Sequence, residues 1–247
     1  MGRVPRRLPV AAAVLTVLLQ VAYPLVHGHP RDVLTVVTVC AFFLASAGHA
    51  VVARGPRWAA AFVLVATGTG LVAEAVGVAT GVPFGDYRYS RTLGWQLLDV
   101  PVVIPLAWAM FAYPALLVGQ RLGRSPATAA VVGAVALASW DLFLDPQMVA
   151  AGHWRWLDVR YALPGIPHVP VSNFLGWALV AVLLLAVLQL LPRRTADDRV
   201  PAALFGWTYG SSVLANAVFF GRPGVAVLGA VGMGVVALPY LLSVARS

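Results

Sequence analysis

Eight apolar runs divide the chain, each close to the ~20 residues that carry a helix across a bilayer. They cover residues 9–26, 33–53, 58–79, 100–119, 127–145, 172–191, 201–220 and 225–244. The fold class that follows is all-α: a polytopic integral membrane helical bundle of about eight spans, with seven as the alternative. Composition agrees, since 60% of the 247 residues are hydrophobic and 11% are charged, against about 25% charged in an ordinary soluble domain. The whole of 1–247 reads as a single integral-membrane domain without a repeat or a low-complexity tail. Arg3, Arg6 and Arg7 ahead of the first run would suit a signal peptide, but no small-residue cleavage site follows. A retained first helix is therefore expected.

All 17 basic residues are arginine. Most fall at the termini and in the turns containing Arg54/Arg57, Arg121/Arg124 and Arg193/Arg194/Arg199. The positive-inside tendency then places a multi-pass protein in the cell membrane with both termini cytoplasmic. The arginines are scattered through short loops rather than forming a stripe, so the net charge of +8 points to the membrane surface and not to nucleic acid. The single cysteine, Cys40, lies mid-span and reads as a small core residue.

One consequence of the span order is functional. Glu74 late in the third span, the two long loops at 80–99 and 146–171, Asp99 before the fourth span, Asp141 and Asp145 ending the fifth, and Asn173 opening the sixth all reach one membrane face. Asp141 and Asp145 are four apart and share a helix face. Carboxyl groups at membrane depth are costly and rare, which makes them candidates for function. The trio Glu74, Asp141 and Asp145 suits general acid chemistry or ion handling, with interhelical hydrogen bonding as the structural alternative.

Other polar residues have plainer roles. Asp99 and Asn173 suit helix N-caps, Asp86 a turn, and Pro105 a kink in the fourth span. Tyr87, Tyr89, Trp95, Trp154 and Trp156 suit an interfacial aromatic belt. Arg88, Arg91, Arg155 and Arg160 suit lipid phosphate or the aspartates, and Asp197-Asp198, on the opposite face, solvent.

Several chemistries are absent from the pattern. His27, His29, His49, His153 and His168 form no repeated histidine boxes and no HExxH. There is no GxGxxG opening a helix and no Walker A sequence. Asp141-x-x-x-Asp145 is half of an Asp-rich magnesium motif of the membrane prenyltransferase kind, but Leu137 stands four residues earlier and the second motif is missing.

The run Thr80-Gly81-Val82-Pro83-Phe84-Gly85-Asp86-Tyr87-Arg88-Tyr89 resembles the TG-x-PFG-x-Y-x-Y signature of the carotenoid biosynthesis proteins, the CruF-type membrane carotenoid 1,2-hydratases. Further matches are Val100-Pro101 with Pro105 and Trp108; Asp141-Leu142-x-Leu144-Asp145-Pro146-x-Met148-Val149 with Gly152-x-Trp154-x-Trp156; and Gly165-Ile166-Pro167 leading to Asn173-Phe174-x-Gly176-Trp177. The resemblance covers residues 70–180, with one departure at Pro164 to Val171, where the family runs almost directly into Asn-Phe.

The resemblance implies addition of water to the terminal C1,2 alkene of an acyclic carotenoid end group, through a tertiary cation and without a cofactor. For that reaction the expected roles are Asp141 or Glu74 as the acid, Asp145 or Asp99 orienting water, and Trp140, Tyr87 or Trp154 facing the cation. Tyr89, Arg88, Trp156 and Asn173 complete the expected substrate contacts. Expected partners are the carotenoid, water, membrane lipid and other carotenoid-pathway membrane enzymes. An end-group cyclase uses the same acid chemistry without water capture. A proton-coupled transporter also uses buried carboxylates, normally near the midplane on broken helices.

Overall fold

The computed structural model describes residues 7–246; Arg3 and Arg6 lie outside that range. Eight helices run in chain order: α1 Arg7–Ala22, α2 His29–Arg54, α3 Pro56–Thr80, α4 Val103–Leu122, α5 Pro126–Ala150, α6 Val171–Leu188, α7 Arg199–Leu214 and α8 Pro223–Ala245. A 3-10 turn, Tyr23–Leu25, extends α1, and a π-helical turn, Ala215–Phe219, extends α7. Seven of the helical runs are long and apolar enough to cross a membrane. The exception is α7, with 16 residues before its five-residue π turn.

α4 is the core of the bundle. It packs against α2, α3 and α5, and its residues from Trp108 to Gly119 are all buried. Close approach to α5 depends on small residues, as usual between helices in lipid. A Cβ on Gly119 would collide with the Ala129 carbonyl oxygen, and one on Gly133 would lie 2.8 Å from the Ala115 carbonyl oxygen. α5 in turn packs against α6 and α8.

The two long loops are not featureless. They carry six short strands: β1 Tyr87–Tyr89, β2 Gln96–Leu97, β3 Val100–Pro101, β4 Trp154–Trp156, β5 Ala162–Leu163 and β6 Ile166–Pro170. β1 pairs antiparallel with β4, with Tyr87 opposite Trp156, Arg88 opposite Arg155 and Tyr89 opposite Trp154. β2 and β3 form a hairpin around Leu98 and Asp99, and β5 and β6 form another. That last hairpin is the departure from the family pattern at Pro164 to Val171; it buries Ile166 and Val169.

Several expectations are corrected. α5 does not stop at Asp145 but continues through Pro146 to Ala150. Asp141 and Asp145 therefore sit more than one turn inside α5, beyond the reach of the end dipole, as Glu74 does in α3. Asp99 is no N-cap: it has φ 60° at the tip of the β2–β3 hairpin, and Val102 precedes α4. Asn173 lies inside the first turn of α6, whose N-cap is Pro170. Pro105 lies in the first turn of α4, where proline is tolerated; the proline inside that helix is Pro114. Asp198 is not free in solvent; both its oxygens bond the buried Arg54 at 2.7 Å. Cys40 is free and half-buried on α2.

Candidate active site

The carboxyl groups converge where α3, α5 and α6 meet the β1–β4 ribbon. Glu74, Asp141 and Asp145 are 4%, 1% and 2% exposed. Asn173 on α6 bridges the aspartates: its Nδ2 donates to Asp141 Oδ2 at 2.9 Å and also to Asp145 Oδ2. Trp154 Nε1 donates to Asp145 Oδ1 at 3.1 Å. Asp141 Oδ1 is buried and takes no protein partner.

Glu74 accepts at both oxygens. Tyr87 and Tyr89 hydroxyls donate to Oε2 at 2.5 and 2.8 Å, and Trp108 Nε1 donates to Oε1 at 2.9 Å. Burial, with the Glu74 charge next, holds both tyrosine hydroxyls well above the usual tyrosine range. They stay protonated donors.

The helix surface around Glu74 explains how these donors reach it. Gly70 and Gly77 lie four before and three after it, on the same face. A Cβ on Gly70 would come 2.8 Å from Trp108, and one on Gly77 would come 2.9 Å from the Tyr87 hydroxyl and 2.7 Å from Phe84. Two bare positions thus open a notch for the aromatic donors.

The ribbon shows why the aromatics face inward. Successive strand residues point to opposite faces. Tyr87, Tyr89, Trp154 and Trp156 take the face against the bundle, while Arg88 and Arg155 are exposed on the other. Of the five residues expected in an aromatic belt, only Trp95 is largely exposed. Arg160 pairs with Asp158 in its own loop.

Two cavities meet at this point. A small one is lined by Glu74, Asp145, Asn173, Tyr87, Trp108 and Trp177, among others. A larger one, ≈ 330 Å³, is bounded by Trp140, Phe143, Gln147, Trp207 and Tyr23, among others. Ile104, Ala107, Leu144 and Trp154 belong to both walls. Val21, Leu214 and Phe219 of the larger cavity are more than half exposed, so it opens between α1 and α7. Trp108 stacks on Trp177 with centroids 4.1 Å apart, and Trp140 stacks on Phe111 at 4.5 Å.

Of the candidates, Glu74, Asp145, Asn173, Tyr87, Tyr89, Trp154 and Trp156 are brought together around the small cavity. Trp140 lines the larger one. Asp141 is tied to the cluster through Asn173 but lines neither. Asp99 and Arg88 are exposed and line neither. Trp108 and Trp177 were legible only as parts of family motifs; the notch glycines flanking Glu74 were the available signal for Trp108. Among the described residues, no three His, Cys, Asp or Glu side chains gather to hold a metal ion.

Fold and site together define an integral membrane helical bundle with a buried carboxyl cluster beside an apolar, laterally open cavity. The chain belongs to the carotenoid biosynthesis protein family, whose model matches residues 32–242. It is 41% identical over 119 residues to a bisanhydrobacterioruberin hydratase of Haloarcula japonica, an alignment covering 45% of this chain and 39% of that protein. No solved structure matches the chain.

Proposed function

We propose that the protein is a carotenoid hydratase that adds water to the terminal C1,2 alkene of an acyclic end group. The observation that carries this reading is the adjacency of the two cavities: Glu74 and Asp145 face a small pocket walled by indoles that shares Ile104, Ala107, Leu144 and Trp154 with an apolar chamber of ≈ 330 Å³. The similarity to a named hydratase supports the same reaction class.

The larger cavity takes the end of a polyene entering from the lipid between α1 and α7. Asp145, which faces the small cavity, gives its proton to the alkene CH carbon. The π electrons form the new C–H bond, and the neighbouring carbon becomes a tertiary cation. Trp154 and Trp177 present electron-rich faces, at about 0.5–2 kcal/mol per cation–π contact. Glu74, fixed by three donors, supplies negative charge that needs no reorganisation as the cation forms. Water adds to the cation, and the proton it releases returns to the Asp141/Asp145 pair, leaving the site as it began.

Asp141 acts through Asp145: both share the Asn173 amide, and the uncommitted Asp141 Oδ1 is the place for a returning proton. This reading divides the labour differently from the sequence expectation, because Asp141 lines neither cavity and Asp99 is exposed at a hairpin tip.

Expression in a carotenoid-producing host grown in ¹⁸O water should give a tertiary alcohol carrying the label. Label from ¹⁸O₂ would make the enzyme a monooxygenase. An unchanged mass with a new ring would make it an end-group cyclase. We also propose a cell-membrane location with cytoplasmic termini, supported by the arginine distribution, which reporter fusions at Arg54–Arg57 and at 146–171 would map.

A further inference from the structure

A second cluster lies at the mouth of the larger cavity, apart from the carboxyl site. Tyr23 in the 3-10 turn after α1 meets Phe220 just past the π turn of α7, edge to face, with centroids 6.3 Å apart. A guanidinium covers each outer side: Arg31 lies 5.3 Å from the Tyr23 ring centre and Arg222 lies 5.3 Å from that of Phe220. Both rings line the cavity.

Neither arginine has a carboxylate partner among the described residues. Asp32, next to Arg31 in sequence, faces His29 at 3.8 Å and His153 at 4.0 Å instead. Arg31 uses Nε on the Val26 carbonyl, and among the described residues no acceptor takes its terminal nitrogens. One terminal nitrogen of Arg222 is buried without a partner, and so is the hydroxyl of Tyr23, itself 7% exposed. α8 starts at Pro223, beside Arg222, and no side chain caps it. Burial lowers the affinity of Arg222 for its proton, and Arg31 adds to this while Tyr23 opposes it. The cluster thus holds two like charges and two orphaned donors with nothing to accept from them.

We infer that Arg31, Arg222 and the Tyr23 hydroxyl form a phosphate site at the cavity mouth, filled by the phosphodiester of an anionic lipid. Phosphate supplies the acceptors the orphaned donors lack, and guanidinium forks suit it. A helix N-terminus adds to the attraction. The exposed apolar side chains of Val21, Leu214 and Phe219 beside the mouth accommodate the attached chain outside the chamber, which favours a lipid over the free anion. The site does not depend on the hydratase reading.

Native mass spectrometry of the full chain released from detergent tests this, with phosphatidylglycerol titrated in. One lipid should be retained, with occupancy falling at least tenfold in an Arg31→Gln/Arg222→Gln double variant and severalfold in Tyr23→Phe, which removes one oxygen. Arg31→Lys/Arg222→Lys keeps the charge but loses the forks and should bind between wild type and the double glutamine variant, which separates loss of the site from loss of the fold. Displacement of the lipid by millimolar inorganic phosphate would keep the site and assign it to the free anion. Equal retention of diacylglycerol, or of phosphatidylglycerol by the double glutamine variant, would overturn the proposal.

Discussion

The indole N–H of Trp154 meets Asp145 Oδ1 at 3.1 Å, joining the short ribbon outside the bundle to the middle of the carboxyl cluster inside it. A loop residue and a helix residue nine positions apart thereby become one wall of the junction between the two cavities.

Asp145→Asn removes the proton donor that faces the pocket; with its oxygen kept on Trp154 its amide N–H faces the Asn173 Nδ2 donor, so a stability loss of about 1–3 kcal/mol accompanies the change. Hydrated product should fall by about 10²–10⁴-fold, the usual contribution of a general acid, with the protein still folded and inserted. Asp141→Asn should lower product less and move the pH profile, because it alters the partner of the acid. Pigment mass spectrometry on matched membrane amounts reads both. Full activity in Asp145→Asn would remove that residue from the scheme.

Glu74→Gln puts an amide where three donors expect an acceptor. One of Tyr87, Tyr89 and Trp108 is left facing an N–H, at a cost of about 1–3 kcal/mol for an unsatisfied buried group. The melting temperature in detergent should drop, and product should drop with it. Tyr89→Phe should cost less than Glu74→Gln, since Glu74 keeps its other two donors.

Gly70→Ala changes no chemical group in the site. Its methyl would sit 2.8 Å from Trp108 and push the indole away from Glu74. Overpacking of this kind costs about 1–3 kcal/mol, so both thermal stability and product formation should decline. Ala73→Gly, next to the notch but outside it, should not reproduce the loss of product, and tryptophan fluorescence would report the displaced indole.

His153 is fully buried beside Thr92, whose hydroxyl lies 2.7 Å from Nδ1. Burial lowers its proton affinity, with Asp32 opposing in part. The unfolded chain therefore binds more protons than the folded one below the ordinary histidine value of 6.5. Stability from this group is present above about pH 6.5 and is lost as the pH falls toward the folded value. Melts between pH 7.5 and 5 should show the wild type losing stability faster than His153→Gln. Parallel curves would show that His153 does not carry the dependence.

The sequence alone determined the membrane class and nearly every span, because an apolar run of fixed length has few other solutions. It also placed Glu74, Asp141, Asp145 and Asn173 at one face, since span order fixes that whatever the packing. It left Asp99 equivalent to the others and the ribbon aromatics on the surface. Only the tertiary structure decided those points. Which face of a three-residue strand turns inward depends on its partner, and the pairing of Tyr87 with Trp156 is set by two loops far apart in the chain. The depth of the carboxyls was likewise undecided until α5 ran on past Pro146: a proline removes one hydrogen bond and crowds the carbonyl four residues earlier, and packing against surrounding helices carries the turn through.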